Sequence, residues 1–321
     1  MVELIVFTKN NANKLSNYLD NKNIQYQIHR NDYEYTFEIE LENTLTIIKF
    51  ILKNKINYKW SNQYSDAKNM LKKKMFDEFT YFYENKIFSL VPMNELVTCA
   101  LLKYDFEIVN FLLGLNICHD LRLGLASACW RNDDNVGVVK LVWDQIVFNH
   151  KNKQSKSSYY CPLNNTNISM QAFYNAVEMG NFNIVNFLVE IVGVNSYVMN
   201  DGIEIAVKYN HADIAEYLYE RGARLKPYDI DIDSFFESIT NNEPMTDMIE
   251  FLSKYEHNGI KLVSDDDLGK SLIIACKNGS LENVTAIIET GIDFDKYRKK
   301  ALAACKEKPH IKKYLQSIVD V

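Results

Sequence analysis

Side-chain catalysis needs a nucleophile beside a base, a pair of carboxylates, or soft ligands at fixed spacing. The six histidines, at positions 29, 119, 150, 211, 257 and 310, form no HExxH, and the six cysteines, at 99, 118, 129, 161, 276 and 305, form no CxxC. Cys118-His119-Asp120 is one short cluster without the four spaced ligands of a structural zinc site. Asp265, Asp266 and Asp267 could hold a cation, but they precede a helical pattern, where acidic side chains favour the N-terminal dipole while staying hydrated. Cys129, Cys276 and Cys305 each follow an alanine on a face expected to be buried, which suits small core side chains better than nucleophiles. The 11 glycines never approach GxGxxG or GxxxxGK spacing, so no phosphate cradle is formed. The expectation is a non-enzyme with no cofactor and no metal.

Charge narrows the partners. The formal net charge is -6 and no long basic block occurs, so counterion release cannot supply much affinity for nucleic acid, which is not expected as a partner. Lys72, Lys73 and Lys74, and the Lys151, Lys153 and Lys156 set, read as solvated surface. The opening "MVELIVFTKNN" has Glu3 and no basic n-region, and nowhere do about eighteen uncharged apolar residues run together. The expected setting is intracellular and cytoplasmic, with no membrane partner. Unpaired cysteine spacing agrees, since it predicts no disulfides.

The elements that must carry any surface follow from apolar spacing. A chain of 321 residues exceeds the usual single core, and 11 Gly with 5 Pro leave few breaks between helices. Aligned on Ala176 and Ala206, apolar residues recur 8, 9, 11 and 12 positions on: Ile184, Val185, Phe187, Leu188 and Ile214, Ala215, Tyr217, Leu218. Ala100 leads likewise to Ile108, Val109, Phe111 and Leu112, while Ala275 leads to Asn283, Val284, Ala286 and Ile287, with one polar lapse. Each set is one face of a helix. Weaker copies start at Ile39, Met70, Ala128, Ser238 and Ala304, so most steps are 28 to 32 residues, the period of a stacked repeat.

Within a unit the anchor and its neighbour are small, which predicts a short inner helix pressed close to the next unit. Gly180-Asn181, Asn210-His211 and Gly279-Ser280 supply a turn, and an outer helix follows. Gly in "ERGARL" and "ETGIDF" predicts a positive-φ helix end. Ser65, Asp201 and Asp233, each five residues before an anchor, are expected to cap the inner helices. Residues 1–38 fall outside the period, with strand-like "ELIVFT" and "IQYQIHRNDYEYTFEIE" around helix-like "NANKLSNYLDNK", and read as an α/β cap.

"DGIEIAVKYNHADIAEYLYERGARL" (201–225) and "KSLIIACKNGSLENVTAIIETGIDF" (270–294), and more loosely "CALLKYDFEIVNFLLGLNI" (99–117), resemble the ankyrin-repeat family. The degenerate Asn- and Lys-rich style is similar to ankyrin proteins of giant DNA viruses of amoebae. The Thr-Pro-Leu-His opening of the family is absent from every copy. The resemblance implies an all-α helix-turn-helix solenoid with a small β-containing N-terminal cap: residues 1–38 as the cap and 39–321 as about nine units, with a polar insertion at 149–168. It also implies a protein-protein interaction scaffold whose concave groove is lined by positions two and three after each anchor. These are Leu102, Lys103, Trp130, Arg131, Glu178, Met179, Lys208, Tyr209, Lys277 and Asn278, with Trp130, Arg131, Met179 and Tyr209 as the types enriched at hot spots. The chain is expected to be monomeric and to bind a protein partner. A structural or packaged virion component, or a substrate adaptor for a ubiquitin ligase, are the alternative expectations.

Overall fold

The computed structural model describes residues 2–31, 34–56, 58–103, 106–115, 121–153, 166–225, 244–257 and 260–318. The chain is mostly helical and divides into two compact units, Met1–Gly124 and Leu125–Val321.

The N-terminal unit opens with β1 (Val2–Val6), α1 (Lys9–Asn21), β2 (Tyr26–Arg30) and β3 (Tyr35–Ile39). Val2, Leu4 and Val6 alternate inward, as a strand covered on one face requires. Thr8 caps α1 by accepting the Asn11 N–H at 3.2 Å, and Ala12, Leu15 and Leu19 form its buried stripe. After α2 (Thr44–Lys53), a fourth strand, β4 (Tyr58–Trp60), pairs with the free side of β1. The sheet is antiparallel in the order β2-β3-β1-β4. Helix-like and strand-like stretches before residue 38 thus fold as read, but the sheet reaches 20 residues further because β4, three residues long, is too short to show alternation. Ile39, expected to anchor an inner helix, instead closes β3 opposite Val2. The apolar set that follows it still packs: Ile47, Ile48 and Ile51 are buried on α2.

The same unit continues with α3 (Gln63–Lys72), α4 (Phe76–Glu84), α5 (Met93–Lys103) and α6 (Phe106–Gly114), in which α3 packs on α4 and α5 on α6. Met70 and Ala100, the expected anchors, are fully buried. Phe79, Phe82 and Phe88 fill the core in edge and tilted contacts, and half-buried Phe111 packs edge-on against Phe79. The Trp60 indole N–H donates to buried Asp66 at 2.6 Å, tying β4 to α3.

Helix α7 (Arg122–Cys129) spans the division between the units. The second unit then contains α8 (Val136–Lys153), α9 (Thr166–Glu178), α10 (Phe182–Phe187), α11 (Ser196–Lys208), α12 (Ala212–Glu220), α13 (Thr246–Lys254), α14 (Asp265–Asn278), α15 (Leu281–Glu289), α16 (Phe294–Ala304) and α17 (Pro309–Ser317). First helices of neighbouring pairs touch, α9 on α11 and α14 on α16, while second helices form a row, α8, α10, α12, α13, α15 and α17. The apolar offsets explain this: Ala128, Ala176 and Ala206 are fully buried, as are Ile184, Val185, Ile214 and Leu218 on the second helices. In the last pair the buried alanine is Ala301, one turn before the expected Ala304, which is half-buried. The Ser238 anchor lies outside the described residues. The polar stretch from 149 continues α8 to Lys153, and 154–165 lie outside the description.

Small residues set how closely first helices approach. A methyl group on Gly202 of α11 would stand 2.5 Å from the Phe173 ring of α9, and one on Gly269 of α14 would stand 2.2 Å from the Tyr297 ring of α16. The helix starts differ from expectation. Ser65 and Asp201 lie inside helices; Asn195 and Ser264 are the caps, accepting the Val198 and Asp267 N–H groups at 3.0 and 3.1 Å. Asp233 is outside the described residues. Asp201 instead accepts the Tyr174 hydroxyl at 2.5 Å, joining α9 to α11.

Candidate functional site

Eight of the expected binding residues fall in the second unit, and all stand at the C-terminal ends of first helices. Trp130 and Arg131 follow α7, Glu178 ends α9 with Met179 next, Lys208 ends α11 with Tyr209 next, and Lys277 and Asn278 end α14. The other two, Leu102 and Lys103, end α5 in the other unit; Leu102 is exposed, and the Lys103 side chain lies outside the description. Cys118-His119-Asp120 is outside it too.

These ends are chain reversals, so their geometry depends on the turn. Gly180, Asn210 and Gly279 adopt φ of 71°, 61° and 95°, left-handed values that Gly and Asn tolerate. Gly222 and Gly291, at 94° and 83°, end second helices as "ERGARL" and "ETGIDF" predict. The polar residue beside each first-helix turn does more than permit a reversal. Asn181 Nδ2 donates to the Cys129 and Arg131 carbonyls at 3.1 and 2.5 Å. His211 Nε2 donates to the Glu178 carbonyl at 3.0 Å, with its ring against Gly180. His310 Nε2 repeats the contact on the Gly279 carbonyl at 3.4 Å. Three turns are therefore fastened to the turn of the preceding pair.

Second-helix starts are fastened across pairs as well. Asp134 accepts the Ile184 N–H at 3.0 Å and the Asn183 N–H at 3.1 Å, capping α10 from the turn before. Asn283, the lapse in the apolar stripe, is buried and accepts the Met245 N–H at 2.7 Å, at the start of α13. These latches were not singled out from the sequence. Their signal is a polar residue at an otherwise apolar offset, or a His and Asn at equivalent turn positions.

On this frame Trp130 is 45% and Tyr209 40% exposed. The Glu178 carboxylate acts on the Tyr209 hydroxyl and raises the phenol above its ordinary pKa, and the Lys208 ammonium lies 5.3 Å from the Tyr209 ring centre. Glu178, Lys208 and Tyr209 are thus brought together. Arg131 is not an open cation. Its guanidinium meets Asp133 at 3.0 Å and 2.5 Å, a bond that raises the Arg131 pKa and lowers that of Asp133. Met179 is half-buried, and Lys277 and Asn278 are exposed.

The remaining chemistry-bearing groups are engaged structurally. Burial raises the Cys129 thiol, pushes Cys276 up to about 12 and raises Cys305, so these thiols are protonated at neutral pH. Of the three aspartates, Asp267 shares a reciprocal cap with Ser264, and Asp266 accepts the Tyr297 hydroxyl at 2.5 Å and pairs with Lys296. No helix among the described residues is long and apolar enough to cross a membrane. No protein-family model matches the sequence, and no curated protein matches it.

Proposed function

We propose that this chain is an ankyrin-like array of helix pairs that acts as a non-enzymatic scaffold inside the cell, holding a protein partner along the ends of its first helices. The observation that carries the reading is the exposure of Trp130 and Tyr209, each directly after the end of a first helix. Trp130 sits in a turn whose flanking carbonyls are taken by Asn181, and Tyr209 sits in the turn from which His211 reaches the Glu178 carbonyl of the preceding pair. Large amphipathic rings on a fixed frame supply contact area at little cost in ordering, which is why such residues dominate hot spots. Glu178 and Lys208 orient the Tyr209 ring further.

Affinity capture from the native source, scored by mass spectrometry, tests the reading. A partner retained by wild type should be lost with Trp130→Ala/Tyr209→Ala and kept with Lys140→Ala/Asp144→Ala on α8, at matched melting temperatures. A partner that survives the first pair and is lost with the second contradicts it. Glu216 does not serve as a neutral control, because it accepts from Lys254 and Tyr255, each at 2.9 Å.

A further inference from the structure

The four-stranded sheet has two edges, and only one is blunted. β4 is three residues long with Lys59 at its centre, features that discourage pairing with another chain. β2 runs five residues, Tyr26-Gln27-Ile28-His29-Arg30, in unbroken register with β3 and with no Lys, Pro or Gly. The Asn31 N–H bonds the Glu34 carbonyl at 3.0 Å. Alternation along an antiparallel ladder then turns the Tyr26, Ile28 and Arg30 backbone groups away from β3, toward the open edge. Ile28 is 45% exposed at the middle of that edge.

The two ends of β2 differ in charge. A cleft at its start is lined by Asp20, Glu38 and Glu40, and Arg30 stands at its end, 5.8 Å from the centre of the Tyr35 ring. We propose that β2 pairs antiparallel with β2 of a second copy of this chain, about a two-fold axis at Ile28. That centre places outward-facing backbone groups opposite one another, Ile28 against its counterpart and Tyr26 against Arg30 of the second copy. It buries Ile28 and brings each Arg30 to the acidic end of the other strand. Strand addition of this kind draws affinity from main-chain bonds and register from the side chains, and a two-fold interface must be self-complementary as this edge is. The interface is independent of the first-helix ends, so either assignment can fail alone, and it replaces the expected monomer with a dimer.

Sedimentation equilibrium of the full chain should show a concentration-dependent doubling of the 37.4 kDa mass. Ile28→Lys and, separately, Arg30→Glu should each weaken self-association by about tenfold or more. Lys59→Ala should not, and melting should be unchanged in all three. A monomer up to about 100 µM, or a dimer unaffected by both Ile28→Lys and Arg30→Glu, would overturn the proposal.

Discussion

At Gly202 two effects of known size oppose each other. Replacing a helical glycine with alanine gains up to about 1 kcal/mol of propensity. The added methyl would stand 2.5 Å from Phe173, and overpacking a tight contact costs about 1–3 kcal/mol. Because Phe173 is fully buried, Gly202→Ala should destabilise, seen as a lower denaturation midpoint at unchanged slope. A rise in the midpoint would show that α9 and α11 are not so close. Asp66 offers a pH test at the same scale. Burial raises its carboxyl above the ordinary aspartate value, and the Trp60 hydrogen bond opposes this only in part. The folded state holds the proton more tightly than the unfolded one, so the contribution is favourable in acid and is lost as pH rises through the folded-state value. Asp66→Asn keeps an acceptor for Trp60 and has no charge to bury. It should gain on wild type as pH is raised from about 4 toward 7, and a gap independent of pH would contradict the assignment.

At the scale of elements, pairs of helices are joined through their turns as much as through their apolar faces. Asn283→Val separates the two contributions. Valine restores the apolar stripe, so packing alone would make the change stabilising. The Met245 N–H would lose its acceptor, at a cost of about 1–3 kcal/mol, and chemical denaturation should show net destabilisation. The pairing of helices is legible in the sequence because Ile184, Val185, Ile214 and Leu218 keep one spacing while the polar residues between them vary. The tight first-helix contact is legible in Ala176 and Ala206. What is hidden depends on which partner each polar side chain finds. Asp201 has the chemistry of a cap but belongs to Tyr174, 27 residues away, and Arg131 has the chemistry of an anchor but is held by Asp133. β4 is hidden for another reason: three residues carry no period, and only the open side of β1 defines them.

For the molecule as a whole, a frame built from one repeated apolar pattern must acquire any specificity from the positions that pattern leaves free. Helix ends are the positions that the pattern leaves free while the latches keep them still, so changing their side chains alters the surface without altering the fold. Trp130 and Tyr209 are the largest such side chains in the second unit, and removing each from a contact would cost about 2 kcal/mol or more. The most direct measurement is a calorimetric titration of the captured partner against wild type, Trp130→Ala/Tyr209→Ala and Lys140→Ala/Asp144→Ala, all at matched melting temperature. The account predicts a loss of roughly 10³-fold in affinity for the aromatic pair, if the two are additive, and little change for the α8 pair. Equal affinity for wild type and the aromatic variant would contradict it.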